Sequence, residues 1–188
     1  MKTIRDLKYK KVKNFLTKEE TKIAADYCKI KHRINFSSFD LKQNKNGDTY
    51  FYGDPLMESI MINKKSVVEE ESGLKLYSTY AFWRMYTKFA DLRKHTDRPA
   101  CEISVSVCLG SDGFEWPLFF NDTPINLEPG DACIYLGCEV IHGREEYQGD
   151  WQAQTFLHYV DKNGPHKDWA KDRRFIYGTT KRRNENGV

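Results

Sequence analysis

The pattern of apolar residues in this chain changes period near residue 74, and that change limits the folds open to it. Before Leu74, apolar residues recur at helical spacing. After it they fall in short alternating segments, candidate strands Tyr80–Tyr86, Glu102–Leu109, Leu118–Phe120, Ile125–Leu127, Ala132–Leu136 and Gln152–Val160. The turn-forming sets Ser111-Asp112-Gly113, Glu128-Pro129-Gly130-Asp131 and Gln148-Gly149-Asp150 lie between strands. Helices followed by many short strands predict a β-sandwich or barrel with helices packed on its outside.

The first half supplies those helices. Thr17 and Glu20 have the spacing of a capping box, and Ile23, Tyr27 and Ile30 then give an apolar stripe, predicting a helix over 17–31. A second helix is predicted from Asp54 as N-cap, with Pro55 in its first turn, a stripe of Leu56, Ile60 and Met61, and Gly73 at its end. The polar stretch 42–48 reads as a loop.

At 188 residues the chain is long enough for one domain with a real core, and its aromatic residues supply apolar surface to bury. A single domain over 1–188 is expected, with a mobile tail over 175–188. No apolar run approaches the ~18 residues of a membrane span, and the basic start has no apolar segment of a signal peptide behind it, so an intracellular location is expected. The five cysteines form no CxxC pair and leave one over, which argues against a zinc knuckle and a disulfide framework. The net charge is only +3, yet basic residues crowd the ends, at Lys8, Lys10, Lys11 and Lys13 and at Arg173, Arg174, Lys181, Arg182 and Arg183. No recognition helix or aromatic-interleaved stripe accompanies them, so they read as solvated surface rather than a nucleic-acid site.

His95-Thr96-Asp97 is an H-x-D element at the exit of a strand, and His142 follows the apolar segment Glu139–Ile141. Two imidazoles and a carboxylate on one face of a metal, with its other positions open, suit oxygen-activating iron(II). Three protein ligands leave two positions for a chelating 2-oxo acid and one for dioxygen. Any single histidine is more simply read as a hydrogen-bonded one, and His158 and His166 are read that way. The order of strand, H-x-D, serine-rich strand, hairpin, strand, His, Gly-Asp turn and long strand is what a double-stranded β-helix, or jelly roll, needs to close around a metal.

On these residues the chain resembles the 2-oxoglutarate and iron(II)-dependent dioxygenases, in particular their prolyl 4-hydroxylase-like branch. Val12–Thr17 with Glu19-Glu20 looks like that branch's opening strand and first helix. Arg84-Met85-Tyr86 through His95-Thr96-Asp97 looks like its tyrosine-bearing strand, and Leu127–Ala132 like the turn before the strand that delivers the second histidine. Arg98–Glu102 and Gln152–Gln154 resemble a subgroup of small microbial or viral members.

The resemblance implies Fe(II) held by His95, Asp97 and His142, with 2-oxoglutarate and O2 as cosubstrates and ascorbate as an aid. It implies C–H hydroxylation of a peptidyl proline, another protein side chain or a small molecule. One departure stands out. The branch carries a Lys or Arg about ten residues beyond the second His, where this chain has Trp151-Gln152-Ala153-Gln154. The distal carboxylate of 2-oxoglutarate is therefore expected at Tyr86, matched to a cosubstrate-facing tyrosine, with Gln154 and with Arg84 from the same strand face. Arg98 and Arg144, which directly follow the metal elements, are expected to reach substrate or cosubstrate. Two other readings stay open, a non-catalytic cupin-like metal- or ligand-binding protein and an oxygenase that demethylates nucleic acid.

Overall fold

The computed structural model describes residues 2–37 and 47–180. Short α1 (Ile4–Leu7) and β1 (Tyr9–Val12) lead into α2 (Lys18–Ser37), then β2 (Thr49–Tyr52), α3 (Pro55–Asn63) and α4 (Lys65–Ser72). The rest is strand: β3 (Leu76–Thr87), β4 (Leu92–His95), β5 (Ile103–Ser111), β6 (Leu118–Phe120), β7 (Thr123–Ile125), β8 (Ala132–Leu136), β9 (His142–Arg144) and β10 (Trp151–Asp161). A single turn of tighter helix occurs at Pro99–Cys101, and Lys167–Arg173 is a kinked segment of the same tighter kind, broken by non-helical backbone at Ala170, Lys171 and Asp172. The strands form two antiparallel sheets, a major one ordered β1-β8-β5-β10-β3-β2 and a minor one ordered β4-β9-β6-β7. This is the expected jelly roll with its helices on the outside.

α2 begins where its capping box predicts, with Thr17 N–H donating to Glu20 (2.8 Å) and Glu20 N–H to the Thr17 hydroxyl (3.1 Å). Its buried face differs from the predicted one. Ile23 and Ile30 are 62% and 57% exposed, while Thr21, Ala24, Ala25 and Cys28 are buried. The helix lies on the branched aliphatic face of β5, where Ile103, Val105, Val107 and Leu109 already fill the space, and small side chains let it approach closely.

The predicted second helix is two, α3 and α4, meeting at Lys64. Asp54 caps the first as expected, accepting from Leu56 and Met57 N–H, and Gly73 ends the second with a left-handed φ of 72°. On α3, Met57, Glu58 and Met61 are buried, with Leu56 and Ile60 packed at the core's edge.

Among the strands, Ile125–Leu127 is corrected to Thr123–Ile125, with Ile125 paired to Leu118, and β2 carried no alternation strong enough to reveal it. Of the polar loop 42–48, residues 42–46 lie outside the described residues, as do 181–188 of the predicted tail. Just before the latter, the Tyr177 hydroxyl donates to Ser78 O (3.2 Å) and Gly178 N–H to Glu58, which ties that stretch to β3 and α3.

Among the described residues of the basic runs, Lys8, Lys10, Lys11 and Arg174 are paired. At the end of α1, Lys8 meets Glu139 (2.9 Å), and on β1 Lys10 meets Glu71 and Lys11 meets Asp131 (3.0 Å). Arg174 is not solvated at all; it is 1% exposed and pairs with buried Glu58 while donating to Thr79 O (3.0 Å) and Thr179 O (2.6 Å). No described helix is long and apolar enough to cross a membrane.

Removing one partner of a buried ion pair strands the other charge. Arg174→Ala should therefore cost about 3–5 kcal/mol of unfolding free energy in a urea titration, whereas Lys8→Ala, at an exposed pair, should cost under about 1 kcal/mol.

Candidate metal centre

β4 and β9 are neighbours in the minor sheet, and their register sets His95 opposite His142. Both rings face inward, with centroids 4.4 Å apart. The backbone then turns, and Asp97 N–H donates to Gly137 O (2.8 Å), bringing the carboxylate under the two rings. Asp97 Oδ1 is 3.6 Å from His95 Nε2 and 3.7 Å from His142 Nε2.

The far side of each ring is occupied. His95 Nδ1 lies 2.7 Å from Arg93 O and His142 Nδ1 2.9 Å from Val140 O. A carbonyl can only accept, so each Nδ1 carries a proton, and each Nε2, on the Asp97 side, is the ring atom left for a metal to take. Three donor atoms thus converge on one point from one side, their outer hydrogen bonds fixing tautomer and ring angle.

The electrostatics suit a cation. Burial pushes the His142 imidazole below its usual range, keeping it neutral, and hydrogen bonding to Asp97 raises His95. Burial pushes the Asp97 carboxyl up, but hydrogen bonding to His95 and the nearby imidazoles outweigh it and hold the group ionised.

A cavity of about 210 Å³ opens over this point. Its walls are mainly rings: Tyr80, Phe82 and Tyr86 from β3, Phe156 and His158 from β10, and Tyr135 from β8. Strand alternation puts them there, the intervening Ala81, Trp83 and Met85 packing into the core on the other face. On β5 the serine face is the inner one. Ser104 Oγ lies 2.9 Å from Asp97 Oδ2 and 2.9 Å from His158 Nδ1.

The remaining predicted site residues separate. Tyr86 is buried and lines the cavity as expected. Arg84 lines it too, but its charge is taken. Its Nε donates to the fully buried Asp48 carboxylate at 2.6 Å, and Asp48 also accepts from Thr87 N–H (3.0 Å) and the Thr87 hydroxyl (2.9 Å). Arg98 is likewise paired, bidentately, with buried Asp172 at 2.7 and 2.9 Å, and stacks over Tyr80.

Arg144, expected to reach substrate or cosubstrate, points into the barrel from β9 on the same side as His142. It is 5% exposed, its guanidinium 4.6 Å above the Trp116 ring. It donates to Trp116 O and, across 3.2 Å, to the Gln154 amide oxygen, which also accepts from Gln152 (2.6 Å) while the Gln154 nitrogen donates to Val107 O (2.9 Å). Among the described residues no carboxylate pairs with Arg144, and its Nε has no partner. Its electrostatic neighbours Tyr86 and Tyr135 both line the cavity.

Sequence reasoning missed Ser104, Asp48 and Asp172. The first was signalled by its alternation with aliphatic residues; the others lie far along the chain from their partners.

No protein-family model matches the sequence, and no curated protein sequence matches it either. Solved structures do match its fold. A prolyl-4-hydroxylase from Pseudomonas putida superposes with a TM-score of 0.61 at 17% identity, over 83% of this chain and 96% of that one. The viral collagen prolyl hydroxylase of Paramecium bursaria Chlorella virus-1, in complex with 2-oxoglutarate, gives 0.59 at 13% identity over 81% and 94%. HygX from Streptomyces hygroscopicus, with nickel and 2-oxoglutarate bound, gives 0.62 at 8% identity over 83% of each. The fold of this chain is therefore the double-stranded β-helix of the 2-oxoglutarate oxygenases.

The buried His158 yields a prediction of its own. Burial pushes its imidazole down to about 4, against roughly 6.5 in an unfolded chain. Between those values the unfolded chain takes up a proton that the folded one refuses, so acid favours unfolding there. In urea titrations of the metal-free protein, stability should fall as pH drops from about 6.5 towards 4, and His158→Gln should make that fall shallower.

Proposed function

We propose that this chain is an iron(II)- and 2-oxoglutarate-dependent oxygenase, with His95, Asp97 and His142 holding the metal and Arg144 receiving the distal carboxylate of the 2-oxo acid. The observation that carries it is the convergence of His95 Nε2, His142 Nε2 and Asp97 Oδ1, with both Nδ1 atoms tied to backbone carbonyls. Two imidazoles and a carboxylate are the donor set of non-haem iron(II) oxygenases, and the cavity lies on the side left open. When bound, the iron and the 2-oxo acid supply the oxidising chemistry that hydroxylates a C–H bond, with dioxygen as oxidant.

The chain's own residues account for the rest. A buried cation without an anion is costly, and Arg144 is such a cation, flanked by tyrosines that line the cavity. A carboxylate reaching in from the metal supplies the missing partner. Gln154 holds the guanidinium from the side, and Tyr86 offers its hydroxyl from β3. Arg144 thus takes the part first expected of Arg84, whose charge Asp48 already neutralises.

The substrate side is a shelf of rings. The Phe82 ring lies tilted against those of Tyr50 (5.7 Å between centroids) and Phe156 (6.0 Å), and Tyr80 against Tyr52 (4.8 Å). With Arg84 and Arg98 both neutralised internally, this surface suits an uncharged C–H donor, such as a peptidyl prolyl ring or a neutral small molecule. The pairing of Lys8, Lys10 and Lys11 with carboxylates speaks against nucleic acid as the substrate.

Anaerobic addition of Fe(II) and 2-oxoglutarate should produce the visible charge-transfer band of a chelated 2-oxo acid, and His95→Ala, Asp97→Ala and His142→Ala should each abolish it. No band with the unaltered protein would favour a non-catalytic ligand-binding jelly roll. In the same titration Arg144→Met should raise the 2-oxoglutarate requirement roughly 10- to 150-fold, the value of about 1.5–3 kcal/mol for a charge-assisted bond, while iron affinity holds. Arg84→Met should change that requirement by no more than about threefold, an order-of-magnitude expectation for a charge already paired elsewhere.

A further inference from the structure

The two oxygens of Asp97 have different surroundings. Oδ1 faces the two imidazole nitrogens at 3.6 and 3.7 Å. Oδ2 faces away from them and lies 2.9 Å from the Ser104 hydroxyl. Ser104 is fully buried, and the β5–β10 register sets it directly opposite His158, whose Nδ1 is 2.9 Å from the same hydroxyl oxygen. A hydroxyl has one proton to give. With His158 Nδ1 donating to the Ser104 oxygen, the serine proton has two acceptors in reach and goes to the nearer, Asp97 Oδ2 at 2.9 Å rather than Cys101 O at 3.1 Å. The His158 ring is itself fixed, 4.5 Å from the Tyr80 ring.

The other wall of this seat is backbone. Gly137, where β8 ends, accepts the Asp97 N–H and donates its own N–H to Glu102 O (3.0 Å). A Cβ at this position would fall 2.4 Å from Asp97 Oδ2, 2.8 Å from Ser104 Oγ and 2.2 Å from Cys101 O. Two of those contacts are with the groups that form the Asp97–Ser104 bond, and the third is with backbone. Only glycine leaves room for the carboxylate in this orientation.

We infer that Ser104, backed by His158 and given room by Gly137, is a positioning residue that holds Asp97 as a one-oxygen metal ligand. The inference rests on the metal assignment above. A carboxylate free to turn can offer both oxygens to a metal and so occupy one of the positions that a chelating 2-oxo acid needs. Ser104 withdraws Oδ2 from that competition. The pair therefore governs cosubstrate access more than metal retention, which separates it from a merely structural hydrogen bond.

The test uses Co(II), whose visible spectrum reports coordination number, in the full chain. Ser104→Ala should still bind Co(II), but with an altered visible spectrum and a 2-oxoglutarate affinity lowered roughly 10-fold or more, in the range typical of lost outer hydrogen bonds to metal ligands. Ser104→Thr, which keeps the hydroxyl, should restore both. Gly137→Ala, which pushes on the carboxylate itself, should weaken Co(II) binding by roughly 10- to 100-fold. A Ser104→Ala protein with the unaltered protein's Co(II) spectrum and 2-oxoglutarate affinity overturns the inference. So does a Thr variant that behaves like the Ala variant, because the hydroxyl would then not be the operative group. Failure of the unaltered protein to bind Co(II) is a different result, since it removes the metal assignment as well.

Discussion

Everything in this fold depends on the major sheet having two chemically different faces. On β5, Ile103, Val105, Val107 and Leu109 point to the helices while Ser104, Ser106 and Cys108 point inward. On β3 the outward set is Ala81, Trp83 and Met85, and the inward set Tyr80, Phe82, Arg84 and Tyr86. Because α2 and α3 bury the outward set, at roughly 25 cal/mol for each Å² of apolar surface removed from water, the main apolar core lies on that side and the inner face need not supply it. That face is free to carry imidazoles, hydroxyls and a cavity.

The minor sheet contributes little apolar burial and a great deal of geometry. Its pairing of β4 with β9 sets one imidazole beside the other, and a slip of one residue would turn His142 out of the barrel. Phe120 and Tyr135 pack around the His142 ring, so the histidine is held by aromatic contacts as well as by its hydrogen bond to Val140 O.

Buried charge follows a consistent rule with one exception. Arg174 has Glu58, Arg84 has Asp48, Arg98 has Asp172, and the half-buried Arg5 has both Glu102 and Asp161. Arg144 alone of these arginines is enclosed without a carboxylate, among Trp116, Gln154 and tyrosines. Pairing occupies the charge of the other guanidiniums, whereas among the described residues Arg144 meets no carboxylate.

The fold class, the capped starts of α2 and α3 and the positions of β5, β6, β8 and β10 were legible in the sequence, because each rests on local chemistry: side-chain period, capping residues and turn formers. His95, Asp97 and His142 were legible as a set for the same reason, since their spacing and the strands around them are written along the chain. The faces of α2 were not, because which stripe is buried depends on how much room the facing sheet leaves, and there Ala24 and Ala25 fitted where Ile23 and Ile30 did not. Nor were the roles of the arginines. Arg84, Arg98 and Arg144 look alike in sequence, and the partners that distinguish them come from elsewhere: Asp48 lies 36 residues from Arg84 and Asp172 lies 74 from Arg98. Charge pairing acts through space over a few ångströms, so only the folded chain could decide which of three arginines remained without an anion.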